Sequence, residues 1–260
     1  MKIGIIGTGN IATYLLEIFN EEKQVEGKVV SLFGRNSEVG ERLEQQYGVA
    51  FYTDFQAFLQ SSIDIVVEAA TVEAAVQYMR QIVENKTDLI VSSIGALKDD
   101  AFLREIRVLA ERNEVTIYLP SGAIGGLDLL QSANAIGGLH DVRITTKKSP
   151  RSLGMESIKE AAVIFEGSAR EAIDRFPRNI NVALLLSLAG LGSEKTRVRV
   201  IADPDIDRNT HCIEAAGDFG EMRMEIENRP MPSNPKTSYL AALSVISTLK
   251  NKGNAVRIGS

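Results

Sequence analysis

Two histidines and one cysteine are all that these 260 residues offer of the side chains that most readily trade protons or attack carbon near neutral pH. One histidine and the cysteine are neighbours, His211 and Cys212, in the stretch RNTHCIEAAGDFG (208–220), which reads as a β-strand. Successive side chains of a strand point to opposite faces. His211 therefore shares a face with Asn209 and Ile213, and Cys212 points away with Thr210 and Glu214. The two are poorly placed for a nucleophile–base pair, and Cys212 reads as a small filler. His211 has the side chain suited to giving and taking a proton within one turnover. On these residues alone, a half-buried histidine with a satisfied hydrogen bond is the simpler account. His140, in GLHDVRI, lies at a strand entry and reads as structural. So few histidines and cysteines leave little for a zinc site, and no metal is expected.

The second chemical signature is at the N-terminus. KIGII (2–6) is a short apolar strand that runs into Gly7-Thr8-Gly9-Asn10-Ile11-Ala12, followed by the helical pattern of ATYLLEIFN. This is G-x-G-x-x-A in the strand–turn–helix context that a dinucleotide site needs. Gly7 permits the tight turn, Gly9 lets backbone amides approach a pyrophosphate, and Ala12 lets the helix pack closely on the strand. Gly7, Thr8, Gly9, Asn10 and Ile11 are thus candidate cofactor contacts. The next strand ends in Phe33-Gly34-Arg35-Asn36, where an NAD-selective site would usually carry Asp or Glu. A cation and an amide at Arg35 and Asn36 suit a 2′-phosphate, which tilts the expectation within NAD or NADP towards NADP. A solvated surface arginine accounts for Arg35 equally well.

The third is SNPKTS (233–238), a polar turn leading into a helical pattern at KTSYLAALSVISTLK (236–250). Asn234, Lys236, Thr237 and Ser238, with the amides of a helix N-terminus, would make a carboxylate site. Ordinary capping with a solvated lysine explains the same residues. The apolar stripe of this helix is expected along Tyr239, Leu240, Leu243, Ile246 and Leu249.

The elements that must position these groups alternate in the first half. Apolar strands at VVSLF (29–33), IDIVVEAA (63–70), LIVSSIG (89–95) and VTIYLP (115–120) are separated by helical patterns, which predicts an α/β, Rossmann-type doubly wound parallel sheet. After Pro120 the pattern changes. TRVRVIAD and EMRMEIE alternate with period two, as in an open, largely antiparallel sheet with one covered and one wet face. The expected division is a dinucleotide-binding domain over 1–119, to which 236–260 returns, and an α/β substrate, catalytic and dimerisation domain over 120–235. With 44% apolar and 24% charged residues and a net charge of −5, the composition is that of a soluble globular protein with no basic patch. Nucleic acid and membranes are not expected partners, a small-molecule substrate is, and the single cysteine fits the cytoplasm.

Taken together, GTGNIA (7–12), SGAIGGLD (121–128), FEGSA (165–169), FPRNINVA (176–183), NTHCIE (209–214) and NPKTSYLAALSV (234–245) resemble the L-aspartate dehydrogenase family over nearly the whole length. The resemblance implies that His211 is the catalytic acid/base and that Ala123 and Asn181 contact the nicotinamide cofactor. It also implies a homodimer and oxidative deamination of L-aspartate to iminoaspartate and then oxaloacetate and ammonia, with a possible supply of iminoaspartate to NAD biosynthesis. Two other readings stay open on sequence: an NAD(P)-dependent imine or dihydrodipicolinate-type reductase, and a non-catalytic NAD(P)-sensing protein.

Overall fold

KIGII becomes β1 (Lys2–Ile6), and the chain then alternates through α1 (Asn10–Leu16), β2 (Lys28–Phe33), α2 (Ser37–Tyr47), β3 (Ala50–Tyr52), α3 (Phe55–Gln60), β4 (Ile65–Glu68), α4 (Val72–Glu84), β5 (Asp88–Val91), α5 (Asp100–Asn113) and β6 (Ile117–Tyr118). The structure, a computed structural model, describes residues 1–155, 157–176, 181–231 and 234–256. The six strands form one parallel sheet in the order β3-β2-β1-β4-β5-β6. Helices cover both faces, so the central strands are buried on both sides and Ile3, Ile5, Ile65 and Val67 are wholly inaccessible. Side-chain caps start four of the helices, at Asn36, Asp54, Thr71 and Asp99, and satisfy amides that the first turns leave unpaired.

Three strands are shorter than the apolar runs predict, IDIVVEAA pairing only over Ile65–Glu68. LIVSSIG leaves the sheet after Val91 and forms a 3₁₀ turn over Ile94–Leu97. The cause is Glu68, whose carboxylate draws in the amide and hydroxyl of Ser93 at 2.9 Å each. VTIYLP pairs only at Ile117 and Tyr118, and Pro120 has no N–H with which to continue a ladder.

The second half holds α6 (Leu127–Ala133), β7 (Leu139–Lys148), α7 (Pro150–Leu153), β8 (Ala162–Ser168), α8 (Ala169–Arg175), α9 (Asn181–Ala189), β9 (Arg197–Ala202), β10 (Asn209–Gly217), β11 (Gly220–Asn228), β12 (Pro230–Met231), β13 (Asn234–Ser238) and the start of α10 (Tyr239–Gly253). Its sheet runs β11-β10-β7-β9-β8, antiparallel except for the β7–β9 pair. One face is dry: Val142, Ile144, Val198, Ile213 and Ala215 pack with Leu130, Ala169, Ala172 and Leu186 of α6, α8 and α9. The other carries ion pairs, Arg197 with Asp141, Arg199 with Glu166, and Arg223 with Glu214 and Glu225. The period-two reading of β9 and β11 is therefore correct.

By its contacts the chain divides into Met1–Pro120 with Ser244–Ala255, and Ser121–Leu243. Helix α10 begins in the second unit and finishes in the first, where Val245 and Leu249 enter the core beside Leu15 and Ile90. Its buried stripe is Ala242, Val245 and Leu249, while Leu243 is exposed, which corrects the expected stripe. Apolar residues lie on several sides of LAALSVI, so the pattern by itself does not single out the buried stripe. The expected polar turn and helix start at 234–238 are also corrected. Asn234–Ser238 is a strand, paired antiparallel with Pro230–Met231, and the helix starts three residues later than predicted. No helix among the described residues is long and apolar enough to cross a membrane.

Candidate active site

The dry face of the second sheet changes character at one end. Along it, Ala215, Ile213 and His211 follow one another on β10, and Val142, Ile144, Thr146 and Lys148 on β7. The register sets His211 directly opposite Thr146 on one side and Ile226 of β11 on the other. The next row has Asn209 opposite Asn228, and Lys148 beside Ala202. Apolar rows thus give way to a group of five polar side chains, Thr146, Lys148, Asn209, His211 and Asn228, at a single edge of the core.

His211 is 4% exposed. Its Nδ1 lies 3.0 Å from the hydroxyl of Thr146, which fixes the ring and leaves Nε2 as the nitrogen that can trade a proton. Burial lowers the imidazole pKa, and the nearby charge of Lys148 lowers it further, to about 4. At neutral pH the ring is therefore uncharged and a proton acceptor. Lys148 is half-buried, and burial pushes its ammonium below the usual lysine range. Cys212 lies on the opposite face, and burial raises its thiol pKa, which suits a filler. His140 is exposed and 3.3 Å from Asp218, at a distance along the strand from this group.

Asn228, which sequence reasoning passed over, links two of the predicted stretches. It is 4% exposed. Its Nδ2 donates to the carbonyl of Ala123 at 2.9 Å, and its Oδ1 accepts from the Ser238 hydroxyl. The loop that carries Ala123 also rests on β11, where a Cβ added at Gly125 would lie 3.1 Å from the sulfur of Met224. Gly126 has φ +74°, a conformation in which glycine is at home. Ala123 and Ser238 are thereby brought to one side chain. Thr237 precedes Ser238 on β13, the side chains of Asn234 and Lys236 lie outside the described residues, and so do residues 177–180 before Asn181, which opens α9. The absence of a signal for Asn228 is understandable, since it sits at the end of an alternating strand and differs from its neighbours only in its partners.

The first unit carries its own site at the carboxyl ends of β1 and β4, the point where strand order reverses. Gly7 has φ +116°, and a Cβ there would lie 2.5 Å from the carbonyl oxygen of Ala69, so no other residue fits. Gly9 precedes α1 with nothing within 4 Å of a built Cβ, which leaves room for an anion against the helix amides. Thr8, Asn10 and Ile11 follow the same turn, with Asn10 exposed and Ala12 fully buried. This cradle fits the diphosphate of a dinucleotide. Glu68, at the end of β4 and 1% exposed, ties the adjoining loops together by accepting from the amides of Ala70 and Ser93 and from the Ser93 hydroxyl. Burial raises its pKa, against the pull of these hydrogen bonds. Arg35 is exposed, and Asn36 is engaged as the cap of α2, accepting from Val39 N at 3.1 Å. Among the described residues no cluster of three or more His, Cys, Asp or Glu could hold a metal ion.

Comparisons with known proteins agree in both halves. Residues 7–120 match the family model described as homoserine dehydrogenase, NAD binding domain, and residues 128–252 match that described as aspartate dehydrogenase, C-terminal. The chain is 40% identical to an L-aspartate dehydrogenase of Methanosarcina barkeri, with 100% of both chains covered. It is likewise 40% identical to that of Methanospirillum hungatei, again over 100% of both. Among solved structures, the aspartate dehydrogenase of Thermotoga maritima matches with a TM-score of 0.83 and 36% identity, covering 100% of this chain and 99% of that one.

Proposed function

Since the chain belongs to the L-aspartate dehydrogenase family, we propose that it oxidises L-aspartate with a nicotinamide dinucleotide, releasing iminoaspartate that is hydrolysed to oxaloacetate and ammonia. The observation that carries this reading is His211: a buried imidazole, hydrogen-bonded at Nδ1 and held neutral, at the polar end of an otherwise apolar face. The bound cofactor supplies the hydride acceptor. The substrate enters as an ammonium ion, and its Cα–H can leave as hydride only after the amine has lost a proton. Neutral His211 takes that proton through Nε2, releases it to solvent, and, neutral again, draws one from the water that attacks the imine carbon. Thr146 holds the ring in place for both steps. Iminoaspartate that escapes hydrolysis would be available to NAD biosynthesis.

In this reading residues 1–119 and the returning segment from 236 bind the dinucleotide, and residues 120–235 bind the substrate. Gly7, Gly9 and the amides that open α1 take the diphosphate, while Ala123 and Asn181 take the nicotinamide portion. Gly34 packs against Thr8, where a Cβ would meet Cγ2 at 2.7 Å, and leaves exposed Arg35 as the cation for a 2′-phosphate. NADP is therefore the favoured cofactor. We assign a cytoplasmic homodimer, with the ion-paired face of the second sheet as the pairing surface.

The test is to follow reduced-cofactor absorbance with L-aspartate, with oxaloacetate plus ammonia, and with L-alanine and L-glutamate. L-Aspartate should be turned over well above L-alanine, because a site built for two carboxylates leaves buried partners unpaired when one is missing, and above L-glutamate, whose extra methylene displaces the second carboxylate. His211→Ala should lower kcat by ~10²–10⁴-fold with cofactor affinity unchanged. Comparable rates on alanine or glutamate would overturn the assignment.

A further inference from the structure

We propose that Lys148 receives a carboxylate of the substrate and so selects a dicarboxylate for the centre around His211. The assignment rests on the reaction proposed above, which places two carboxylates beside that histidine. Lys148 shares the dry face with Thr146, two residues along β7, and stands one row from His211 across the β7–β10 pair. Diagonal neighbours of this kind are ~7–8 Å apart at the backbone, within reach of a lysine stem. A small molecule whose reacting carbon lies against His211 thus has a carboxylate within range of the ammonium.

The charge arrangement fits an anion. Facing His211 are Thr146 from β7 and Ile226 from β11, both uncharged, and the field that acts on the ring is that of Lys148. A carboxylate seated within reach of that ammonium makes a charge-assisted hydrogen bond with it. The same event removes the positive field that keeps protons off His211. The imidazole is then a weak base in the empty site and a stronger one once a dianion is seated, at the moment when the substrate ammonium must give up its proton.

Two measurements test this. First, steady-state kinetics of K148M and K148R on L-aspartate: the neutral variant should raise KM by ~10–150-fold, the range for losing a charge-assisted hydrogen bond, and erase most of the preference over L-alanine. K148R should recover part of both. Second, a titration of the two histidines by NMR in the wild type, with and without succinate as an unreactive four-carbon dianion. Succinate should raise the His211 pKa and leave His140 alone, and in K148M the His211 pKa should already be raised and insensitive to succinate. The wild-type titration needs neither turnover nor a folded variant. If the wild type oxidises aspartate but K148M keeps its KM and its selectivity, the lysine assignment fails while the reaction stands. If succinate leaves His211 unmoved in the wild type, the assignment fails irrespective of kinetics. If the wild type does not act on aspartate at all, the proposed reaction fails, and this assignment with it.

Discussion

Acid should cost this protein stability through one side chain. His211 has a pKa of about 4 in the folded chain against an ordinary 6.5. The unfolded chain therefore binds a proton below about pH 6.5 that the folded chain accepts only near pH 4, and within that window unfolding takes up protons. Stability rises with pH across the window, is fully present above it, and is lost on acidification through it. The gap is worth about 3 kcal/mol, at ~1.4 kcal/mol for each pH unit between the two values. Other groups titrate in the same range, so the measurement must be a difference. His211→Asn removes the titration and leaves an amide near the position of Nδ1 to face Thr146. Urea unfolding followed by far-UV circular dichroism at pH 7, 6, 5 and 4 gives both curves. The wild type should lose about 3 kcal/mol more than the variant between pH 7 and pH 4, with most of the divergence above pH 4.5. Curves that run parallel would mean that the imidazole is not held neutral by its surroundings, and the account of it as a buried ring kept uncharged would go with them.

Three further outcomes are expected. Arg35→Ala should weaken NADP binding by ~10–150-fold in a fluorescence titration and hardly change NAD, and equal losses for both would mean that Arg35 supports the loop without reading the phosphate. Asn228→Ala should raise the KM for cofactor and for L-aspartate together, because one amide holds both Ala123 and Ser238, and leaving their half-buried groups unpaired costs ~1 kcal/mol, which calorimetry would register as a lowered Tm. Gly7→Ala should abolish dinucleotide binding, since the new methyl would press on the Ala69 carbonyl in a backbone conformation that alanine avoids, and a variant with unchanged cofactor affinity would contradict that geometry.

Much of this was legible in the residues. The glycine turn declares itself because positive φ and close approach admit few other side chains, and His211 stands out because period-two alternation puts it on the dry face with Ile213. Thr146 and Lys148 were not legible. They become neighbours of His211 only through the pairing of β7 with β10, across 65 residues of sequence in the case of Thr146. Nothing in TTKKSP distinguishes one lysine from the next until the register assigns Lys147 to the wet face and Lys148 to the dry one. Asn228 was hidden for a similar reason, as its partners come from positions 123 and 238. SNPKTS misled because proline and small polar residues make both turns and short edge strands, and the decision between them came from pairing with Pro230 and Met231.

The return of α10 to the first unit has a consequence for synthesis. The parallel sheet is completed within the first 120 residues, yet its core includes Val245 and Leu249, and Lys252 pairs with Asp88 across 164 residues. A nascent chain therefore carries this sheet, with an apolar groove uncovered, for as long as the ribosome takes to add the second half. At ~5–20 residues per second that interval is several seconds to about half a minute, long compared with helix and hairpin formation. The N-terminal unit is thus the part of the molecule most in need of a chaperone during translation. A fragment ending near residue 120 should be poorly soluble, and adding a peptide of residues 239–256 should rescue it.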